Sequence, residues 1–437
     1  MIMSYHHGDE KNSLQSPLPP ARTGRRYWRH SHTSTAIVAV TALLISITAW
    51  VFLVFSNTTT CCFHHLRNWE GSPHSLLWDK QSSHHLSVVT PPLSHSLLID
   101  TTHTSNQNNS SSFEWEGLSV KNIVFGIAGS SQLWRRRKEF VRLWWRPNDM
   151  RGHVWLDDHV PHETGDDSLP PVMVSKDISS FRYTNPIGHP SGLRISRIVT
   201  ESFRLGIPDA RWFVLCDDDT IFDVDNLVVV LNKYDSSEMI YIGSSSESHS
   251  ANTYFSHSMA FGGGGIAISH RLAEALSEIL DECIERYPKL YGSDDRLHAC
   301  ISELGIPLTR EHGFHQWDIR GNAHGLLSSH PIAPFVSIHH VEAVDPFYPG
   351  LNSLESLKLF TKAMRADPRS FLQRSICYDH ARHLTVSISL GYAVQVFPNI
   401  VLPRELERSE RTYSAWNGIT QRDEFEFDAR DPYRSAL

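Results

Sequence analysis

Cysteine is scarce in this chain, with six residues among 437. No two of them have the spacing of a structural zinc site, which argues against the small zinc-stabilised folds. Cys283 and Cys300 flank an acidic turn, and a disulfide between them would close a loop of a size that stabilises a fold by roughly 3 kcal/mol. We interpret Cys216, within an apolar run, as a buried thiol. Cys61 and Cys62 could cross-link two chains into a homodimer.

An excess of positive charge is lacking as well. The formal net charge is −8, and the sequence pI is about 6.4. A surface whose main role is to bind polyanions is therefore not expected, and we expect no nucleic-acid partner. At 437 residues the chain is long enough for a large core, in two domains or in one large domain with extensions.

One apolar segment has the length of a membrane span. Residues 35–56 contain no charged side chain, and about twenty such residues cross a bilayer as a helix. Four arginines precede it, which predicts a cytoplasmic, disordered tail over residues 1–34 and a catalytic part outside the cytosol. A cleaved signal peptide is the alternative, but the run is longer than usual and lacks a small-x-small exit.

Beyond the predicted anchor, composition divides the chain into three parts. Residues 57–117 are rich in Ser, Thr, His and Asn and read as a flexible stem, in which Asn57, Asn108 and Asn109 begin glycosylation acceptor sequences. Residues 118–417 are the predicted globular domain, and residues 418–437 a charged, peripheral tail. Strand and helix patterns alternate from residue 123 onward, which predicts an α/β sheet with ligands at the carboxyl ends of its strands.

Three consecutive carboxylates, Asp217, Asp218 and Asp219, end an apolar run over residues 212–216. Their mutual repulsion would raise their pKa values unless a cation lies beside them. Because side chains alternate along an extended segment, Asp217 and Asp219 can face one way and Asp218 the other. Hard oxygen ligands suit Mn²⁺ or Mg²⁺, so the pattern predicts a metal site. A solvated acidic turn is the simpler alternative.

Further candidates follow along the chain. Asp294 and Asp295 open a predicted helix, where carboxylates either cap the helix or act in catalysis. His339 and His340 end an apolar strand and are metal-ligand candidates, or else satisfied buried histidines. The glycines of residues 262–265 nominally begin a G-x-G-x-x-A pattern, but the residues after it look extended, which favours glycines that let backbone approach a ligand. In the basic helix near residue 135 most side chains should be solvated, and one arginine is a candidate for phosphate binding.

In this order, the motifs resemble those of the Fringe-like inverting β-1,3-glycosyltransferases, and in particular the plant Fringe-related group formerly described as a domain of unknown function. The resemblance covers roughly residues 120–417. Seven segments carry it: 123–131, 144–147, 212–220, 261–269, 291–297, 337–340 and 345–346.

The resemblance implies a GT-A-like fold: a nucleotide-sugar-binding sheet flanked by helices, as a single lumenal catalytic domain on a type II Golgi membrane anchor. It implies a UDP-sugar donor, a glycan or glycoprotein acceptor, and Mn²⁺ held by Asp217, Asp219 and a histidine, His340 ahead of His339. Asp295 would be the catalytic base, with Asp294 as the alternate. The implied donor contacts are Ala128, Gly129, Ser130, Asp217, Asp218, Gly263 and Gly264.

Two alternatives remain open beside a glycosyltransferase. One is a catalytically inactive protein of the same fold that binds a carbohydrate or nucleotide sugar. The other is a metal-dependent phosphohydrolase built on the three carboxylates, although Ile221 does not fit the usual pattern of that class. The chain also departs from the resembled family after the acidic pair, where Arg296 and Ala299 stand, and this leaves the choice between Asp294 and Asp295 open.

Overall fold

The structure is a computed structural model that describes residues 117–160, 165–329, 335–372, 374–389, 393–418 and 424–432. The predicted tail, anchor and all but the last residue of the stem lie outside these ranges, together with Cys61, Cys62 and the three glycosylation sites. Those features therefore stay predictions. Within the described ranges, no helix combines the length and the apolar character needed to cross a bilayer.

Strands and helices alternate through the first half of the described chain. The strands are β1 Ile123–Ala128, β2 Arg151–Leu156, β3 Val172–Val174, β4 Trp212–Asp217, β5 Ile221–Phe222, β6 Tyr241–Gly243, β7 Ile266–Ser269, β8 Leu308–Arg310, β9 Phe314–His315, β10 Ile319–Gly321, β11 Ser337–Ile338, β12 Arg374–Asp379, β13 Leu384–Ser389, β14 Ala393–Phe397, β15 Ser409–Glu410, β16 Tyr413–Ala415 and β17 Ala429–Arg430. The α-helices are α1 Trp134–Trp144, α2 Ser191–Ser196, α3 Ile198–Phe203, α4 Val224–Leu231, α5 His249–Tyr254, α6 His270–Arg286, α7 Ser293–Glu303, α8 His324–Leu327, α9 Ser353–Ala366 and α10 Pro403–Leu406.

The largest sheet has seven strands in the order β3-β2-β1-β4-β7-β6-β8. β1 pairs in parallel with β2 and β4, whereas β7 runs antiparallel to both β4 and β6. The fold is thus mixed α/β, with a central sheet that is largely parallel. Every residue of β1 and β4 is buried, because helices cover both faces of these strands.

Alternate residues of β1 and β4 join two different hydrophobic clusters, one on each face of the sheet. Phe125 belongs to the first cluster, where its ring lies 5.4 Å from Trp144 and 5.9 Å from Phe222. Leu193 of α2 and Leu276 of α6 belong to the second cluster, on the other face of the sheet. The apolar run that ends at the three carboxylates is therefore held rigidly from both sides.

Residues 191–203 form two consecutive helices, α2 and α3, which are separated at Arg197. The guanidinium of Arg197 contacts Asp281 of α6 at 2.8 Å. At the start of α2, a Cβ on Gly192 would come within 2.8 Å of the backbone of Gly292. This close approach seats α2 against the turn that precedes α7, and so fixes the acidic pair at the start of α7.

The predicted disulfide is present. Cys283 in α6 and Cys300 in α7 are bonded, with their Cα atoms 5.8 Å apart. Cys216 is a fully buried thiol, as predicted, and burial raises its pKa well above the usual value. The bridge ties the helix that carries Asp294 and Asp295 to its neighbour.

The C-terminal segment differs from the expected peripheral tail. Phe425 is buried against the ring of Tyr413, with centroids 5.0 Å apart, and β17 pairs with β15. Apolar side chains alternate with carboxylates here, because Phe425 and Phe427 are each preceded by a glutamate. Charged composition alone hides this pattern, which is that of a strand with one buried face.

Candidate functional site

The candidate site begins where β1 and β4 end side by side. Ala128 lies opposite Asp217 in the parallel register, and the backbone N–H of Asp218 donates to the carbonyl of Ala128 at 3.0 Å. A Cβ on Gly129 would lie 3.3 Å from Oδ2 of Asp218. The turn after β1, which begins at Gly129, therefore starts beside the acidic cluster, and the donor contacts of Ala128, Gly129 and Ser130 stay predictions.

A tight turn fixes the direction of the three carboxylates. The N–H of Asp217 donates to Oγ1 of Thr220 at 3.1 Å, and that hydroxyl donates to the carbonyl of Gly263 at 2.8 Å. Asp217, Asp218 and Asp219 are only 1%, 1% and 3% exposed. The solvated acidic turn is therefore not what the structure shows.

His339 is the histidine that lies between the carboxylates. Its Nε2 is 3.3 Å from Oδ2 of Asp217 and 3.2 Å from Oδ1 of Asp219. His340 has a φ of +53° and turns away, so that its Nδ1 lies 3.1 Å from Oδ1 of Asp318. Its ring stacks on Trp416 with centroids 4.1 Å apart. The geometry thus favours His339 over His340, the reverse of the order that the resemblance implied.

Arg137 differs from its neighbours in the basic helix because it contacts carboxylates, and phosphate binding by an arginine of this helix stays a prediction. Its guanidinium contacts Asp218 at 2.8 Å and Asp219 at 3.0 Å, and the exposed fraction of its side chain is 17%. Glu342 lies 3.5 Å from the same group. The sequence did not indicate which arginine would differ from its neighbours. The position one turn into α1 marks the run of three arginines, but only the rotation of the helix selects Arg137 among them.

Burial and the neighbouring charges give the carboxylates of the acidic cluster and His339 very different pKa values. Burial and the neighbouring carboxylates of Asp219 and Asp217 raise the pKa of Asp218 to about 7, although Arg137 acts in the opposite direction. Burial also opposes ionisation of Asp219, but His339 and Arg137 outweigh it and hold the pKa of Asp219 well below its usual range. Burial lowers the pKa of His339, yet Asp219 and Asp217 outweigh it and raise that pKa to about 9.

The ligand atoms of Asp217, Asp219 and His339 lie close enough to bind one ion. Two carboxylates and one imidazole are a donor set that divalent metals accept. Oδ1 of Asp219 is buried and makes no hydrogen bond to the described residues, although Nε2 of His339 lies 3.2 Å away. These residues therefore fit a metal ion, whose binding would displace the proton on His339.

Gly263 forms the back wall for His339. A Cβ at position 263 would lie 2.2 Å from Nδ1 of His339, a distance that forces one of the two groups to move. We expect Gly263→Ala to weaken Mn²⁺ binding by about 10- to 100-fold, the range seen when the groups that orient a metal ligand are changed. Titration of the chain with Mn²⁺, followed by isothermal calorimetry, measures this.

Gly117→Ala is the matched control, because a Cβ at position 117 would meet no atom within 4 Å. Unchanged Mn²⁺ affinity in Gly263→Ala would contradict the role of the glycine as a support for His339.

The acidic pair at the start of α7 is held by backbone N–H groups. Oδ2 of Asp294 accepts from the N–H of Gly262 in the glycine turn at 2.8 Å. Oδ2 of Asp295 accepts from Tyr291 at 2.8 Å, and its Oδ1 accepts from Gly292 at 3.0 Å. Burial raises the pKa of Asp295, and this outweighs the lowering by the Tyr291 N–H. Asp295 therefore combines a capping position with an increased affinity for protons.

Arg296, the departure from the family pattern, is a structural side chain. It is fully buried, and its guanidinium donates to the carbonyls of Gly292 and Leu290. The guanidinium carbon lies 4.9 Å from the ring centroid of Tyr183. Arg296 thus holds the turn before α7 and leaves the acidic pair in place.

One cleft joins the acidic pair to the histidines. It is lined by Phe255, Met259, Phe261, Tyr291, Gly292, Ser293, Asp294, Asp295, Gln316, Asp318, His339 and His340. Gly264 reaches the same region, since its N–H donates to Oε1 of Gln316 at 2.9 Å. The glycine turn links the two parts of the site, because the N–H of Gly262 donates to Asp294 and the carbonyl of Gly263 accepts from Thr220 beside the three carboxylates.

Three supporting residues were not predicted. Gln316 and Asp318 hold Gly264 and His340, and no motif marks them. Arg194 is buried in α2 and donates to the carbonyls of Trp155 and Gly129, each at 2.9 Å. It thereby fixes the turn after β1. A charged residue in the middle of an apolar helix pattern was the available signal.

Comparison with known proteins gives a family and two relatives. Residues 251–436 match a family described as a protein of unknown function, DUF604. A stretch of 105 residues is 33% identical to a β-1,3-glucosyltransferase of Mus musculus and 34% identical to one of Homo sapiens. It covers 24% of this chain and 20% of each relative, so the chain spans about a fifth of their length.

A solved structure also aligns with this chain. It is the crystal structure of a glycosyltransferase involved in the glycosylation of the major capsid of PBCV-1, and the match covers 55% of this chain and 98% of that one. The sequence identity is 12% and the TM-score is 0.29, which is too low to bear on the fold.

Proposed function

We propose that the chain is a glycosyltransferase of the Fringe-like β-1,3 type. The match of residues 251–436 to DUF604 and the similarity of a 105-residue stretch to two β-1,3-glucosyltransferases support this proposal. It transfers a sugar from a UDP-sugar to a hydroxyl group of a glycan or glycoprotein, with inversion and in a β-1,3 linkage. Its domain has a GT-A-like arrangement and stands on a single-pass type II anchor in the Golgi membrane.

The observation that carries this proposal is the shared cleft. It brings His339 of the candidate metal group together with the carboxylates of Asp294 and Asp295. An inverting transfer needs these two elements, a place for a diphosphate leaving group and a separate carboxylate base, and it needs no enzyme nucleophile.

Asp217, Asp219 and His339 are the residues that would hold the metal ion, for which we propose Mn²⁺. When bound, such an ion neutralises the negative charge that develops on the diphosphate leaving group. Arg137 keeps Asp219 in position from the opposite side. Gly129 lets the backbone after β1 approach the donor closely, as do Gly263 and Gly264 in the glycine turn.

We assign the base to Asp295. Its carboxylate accepts the proton of the acceptor hydroxyl while that oxygen bonds to the anomeric carbon of the sugar. The bond between the anomeric carbon and the diphosphate oxygen breaks, and UDP leaves with both bonding electrons. The raised pKa of Asp295 suits this step, because a stronger base takes the proton more readily.

A location outside the cytosol is supported by two features. Cys283 and Cys300 form a disulfide, which persists in oxidising compartments and is rare in the cytosol. The uncharged run over residues 35–56, preceded by arginines, predicts the anchor and its orientation. Residence in the Golgi is proposed because of the resemblance to the Fringe-like family. A homodimer linked through Cys61 and Cys62 stays a prediction, since both residues lie outside the described ranges.

The test is release of UDP by the full-length chain in detergent micelles, across a panel of UDP-sugars and glycan acceptors, with Mn²⁺ or EDTA. We expect metal-dependent release with one donor, rising when the correct acceptor is added. The product linkage is then read by NMR. Release of inorganic phosphate from a phosphate ester, without sugar transfer, would contradict the proposal and support the phosphohydrolase.

One observation favours a second candidate, the inactive binding protein. The carboxylate of Asp295 accepts three backbone N–H groups, from Tyr291, Gly292 and Arg296, as a purely structural cap would. That protein would bind a UDP-sugar in calorimetry and transfer no sugar to any acceptor. The same panel therefore separates the two functions.

A further inference from the structure

A second group of metal-ligand side chains lies at the surface, away from the three buried carboxylates. Nδ1 of His249 is 3.1 Å and Nδ1 of His257 is 3.2 Å from the same oxygen, Oε1 of Glu426. The two imidazole rings are 5.4 Å apart, and one ligand atom from each of the three residues lies within 4.8 Å of the others. The proposed transfer reaction uses none of these residues.

The backbone holds this group in place. The N–H of His249 donates to the carbonyl of Glu424 at 2.7 Å, and the N–H of Glu426 donates to the carbonyl of Glu247 at 3.0 Å. Phe425, between the two glutamates, is buried. Glu426 is therefore fixed on the outer face of a paired segment, and its approach to the histidines follows from the fold rather than from the reach of a flexible side chain.

The donor set and its spacing fit zinc. Two imidazole nitrogens and one carboxylate oxygen are ligands of a three-residue Zn²⁺ site, in which water completes a tetrahedron. Ligand atoms about 2.1 Å from zinc lie roughly 3.4 Å apart in that geometry, close to the observed 3.1 and 3.2 Å. We propose that His249, His257 and Glu426 bind Zn²⁺.

The site joins α5 and its following turn to the C-terminal segment. Phe255, whose ring lines the catalytic cleft and lies 5.7 Å from that of Tyr291, stands in the chain between the two histidines. An ion at this site closes the segment over residues 249–257 onto Glu426. It thereby orders one wall of the cleft without touching the reacting groups. The site stands on its own geometry and does not depend on the proposed transferase activity.

The test is Zn²⁺ binding by the full-length chain that carries Asp219→Ala, a change that impairs the buried carboxylate group. Competition with a chromophoric chelator gives the affinity, and Co²⁺ substitution gives the absorption spectrum of a tetrahedral site. We expect one Zn²⁺ per chain. Adding His257→Ala should weaken Zn²⁺ binding by more than about 100-fold. Changing a residue that only orients a metal ligand costs up to about 100-fold in affinity, and loss of the ligand itself should cost more.

His312→Ala is the matched control, since His312 is exposed and lies outside the cluster. A second variant, Glu426→Gln, keeps the size of the side chain and should also weaken Zn²⁺ binding. Hydrogen exchange should show slower exchange over residues 249–259 when Zn²⁺ is added. Failure of the Asp219→Ala chain to bind Zn²⁺, or equal binding with and without His257, would overturn the proposal and leave a hydrogen-bonded surface cluster.

Discussion

Replacing Asp219 with alanine is expected to lower Mn²⁺-dependent sugar transfer by at least about 1,000-fold, the upper range for loss of one electrostatic group at a reacting centre. Asp219 is buried, and it faces both His339 and Arg137. Its removal takes one oxygen ligand from the candidate metal group and leaves Arg137 with one carboxylate fewer. The rate of UDP release, measured with saturating acceptor and increasing Mn²⁺, reports the loss.

Folding must be separated from chemistry in that experiment, because removing one partner of a buried ion pair destabilises a protein by about 3 to 5 kcal/mol. Near-ultraviolet circular dichroism and the melting temperature show whether the domain persists. Asp149→Ala is the matched control, an exposed aspartate on the turn between α1 and β2. A folded Asp219→Ala chain that still transfers sugar in a metal-dependent way would refute the role of Asp219.

Asp295→Asn should lower kcat by about 100- to 10,000-fold, the contribution of a positioned general base. Donor binding should stay nearly unchanged, because Asp295 lies in the cleft on α7 and outside the metal group. Single-turnover transfer with a radiolabelled UDP-sugar measures the first quantity, and calorimetry with UDP the second. The comparison variant is Asp294→Asn, in which an amide oxygen can still accept the N–H of Gly262.

A structural cap and a base respond differently to pH. The pKa of Asp295 is raised by burial, so transfer by the native chain should fall as the pH drops through that raised value, where the carboxylate gains a proton. Asp295→Asn should lose this acid limb together with the rate, whereas a capping role alone would change only the melting temperature. If Asp294→Asn is inactive while Asp295→Asn keeps its rate and its pH profile, the base is Asp294.

The strongly patterned parts of this fold could be predicted from sequence. An uninterrupted apolar run before Asp217 can only be buried on both faces, and its end at the carboxyl edge of a sheet follows from the alternation of strands and helices. These features depend only on local composition and on the general topology of α/β sheets, so a single sequence is enough to predict them. Ala128 and Gly129 were expected near the donor only because of the family resemblance, and the structure shows that they lie beside the acidic cluster.

The histidine and arginine contacts could not be predicted, because they depend on side-chain direction. His339 and His340 are adjacent and identical, and the left-handed backbone at His340 decides which of them faces the carboxylates. Arg137 is one of three consecutive arginines, and the rotation of α1 about its axis alone brings it to Asp218. Phe425 was hidden by its charged neighbours. Each of these outcomes depends on packing between distant segments.

The bond between Cys283 and Cys300 bears on how the protein should be made in the laboratory. A bacterial cytosol would keep both thiols reduced, and α7 would then form without its covalent link to α6. Material from such a host could have the right sequence and a misplaced acidic pair. Lack of turnover in that preparation would be explained by the missing disulfide. Activity should therefore be measured on protein that is produced in an oxidising secretory compartment.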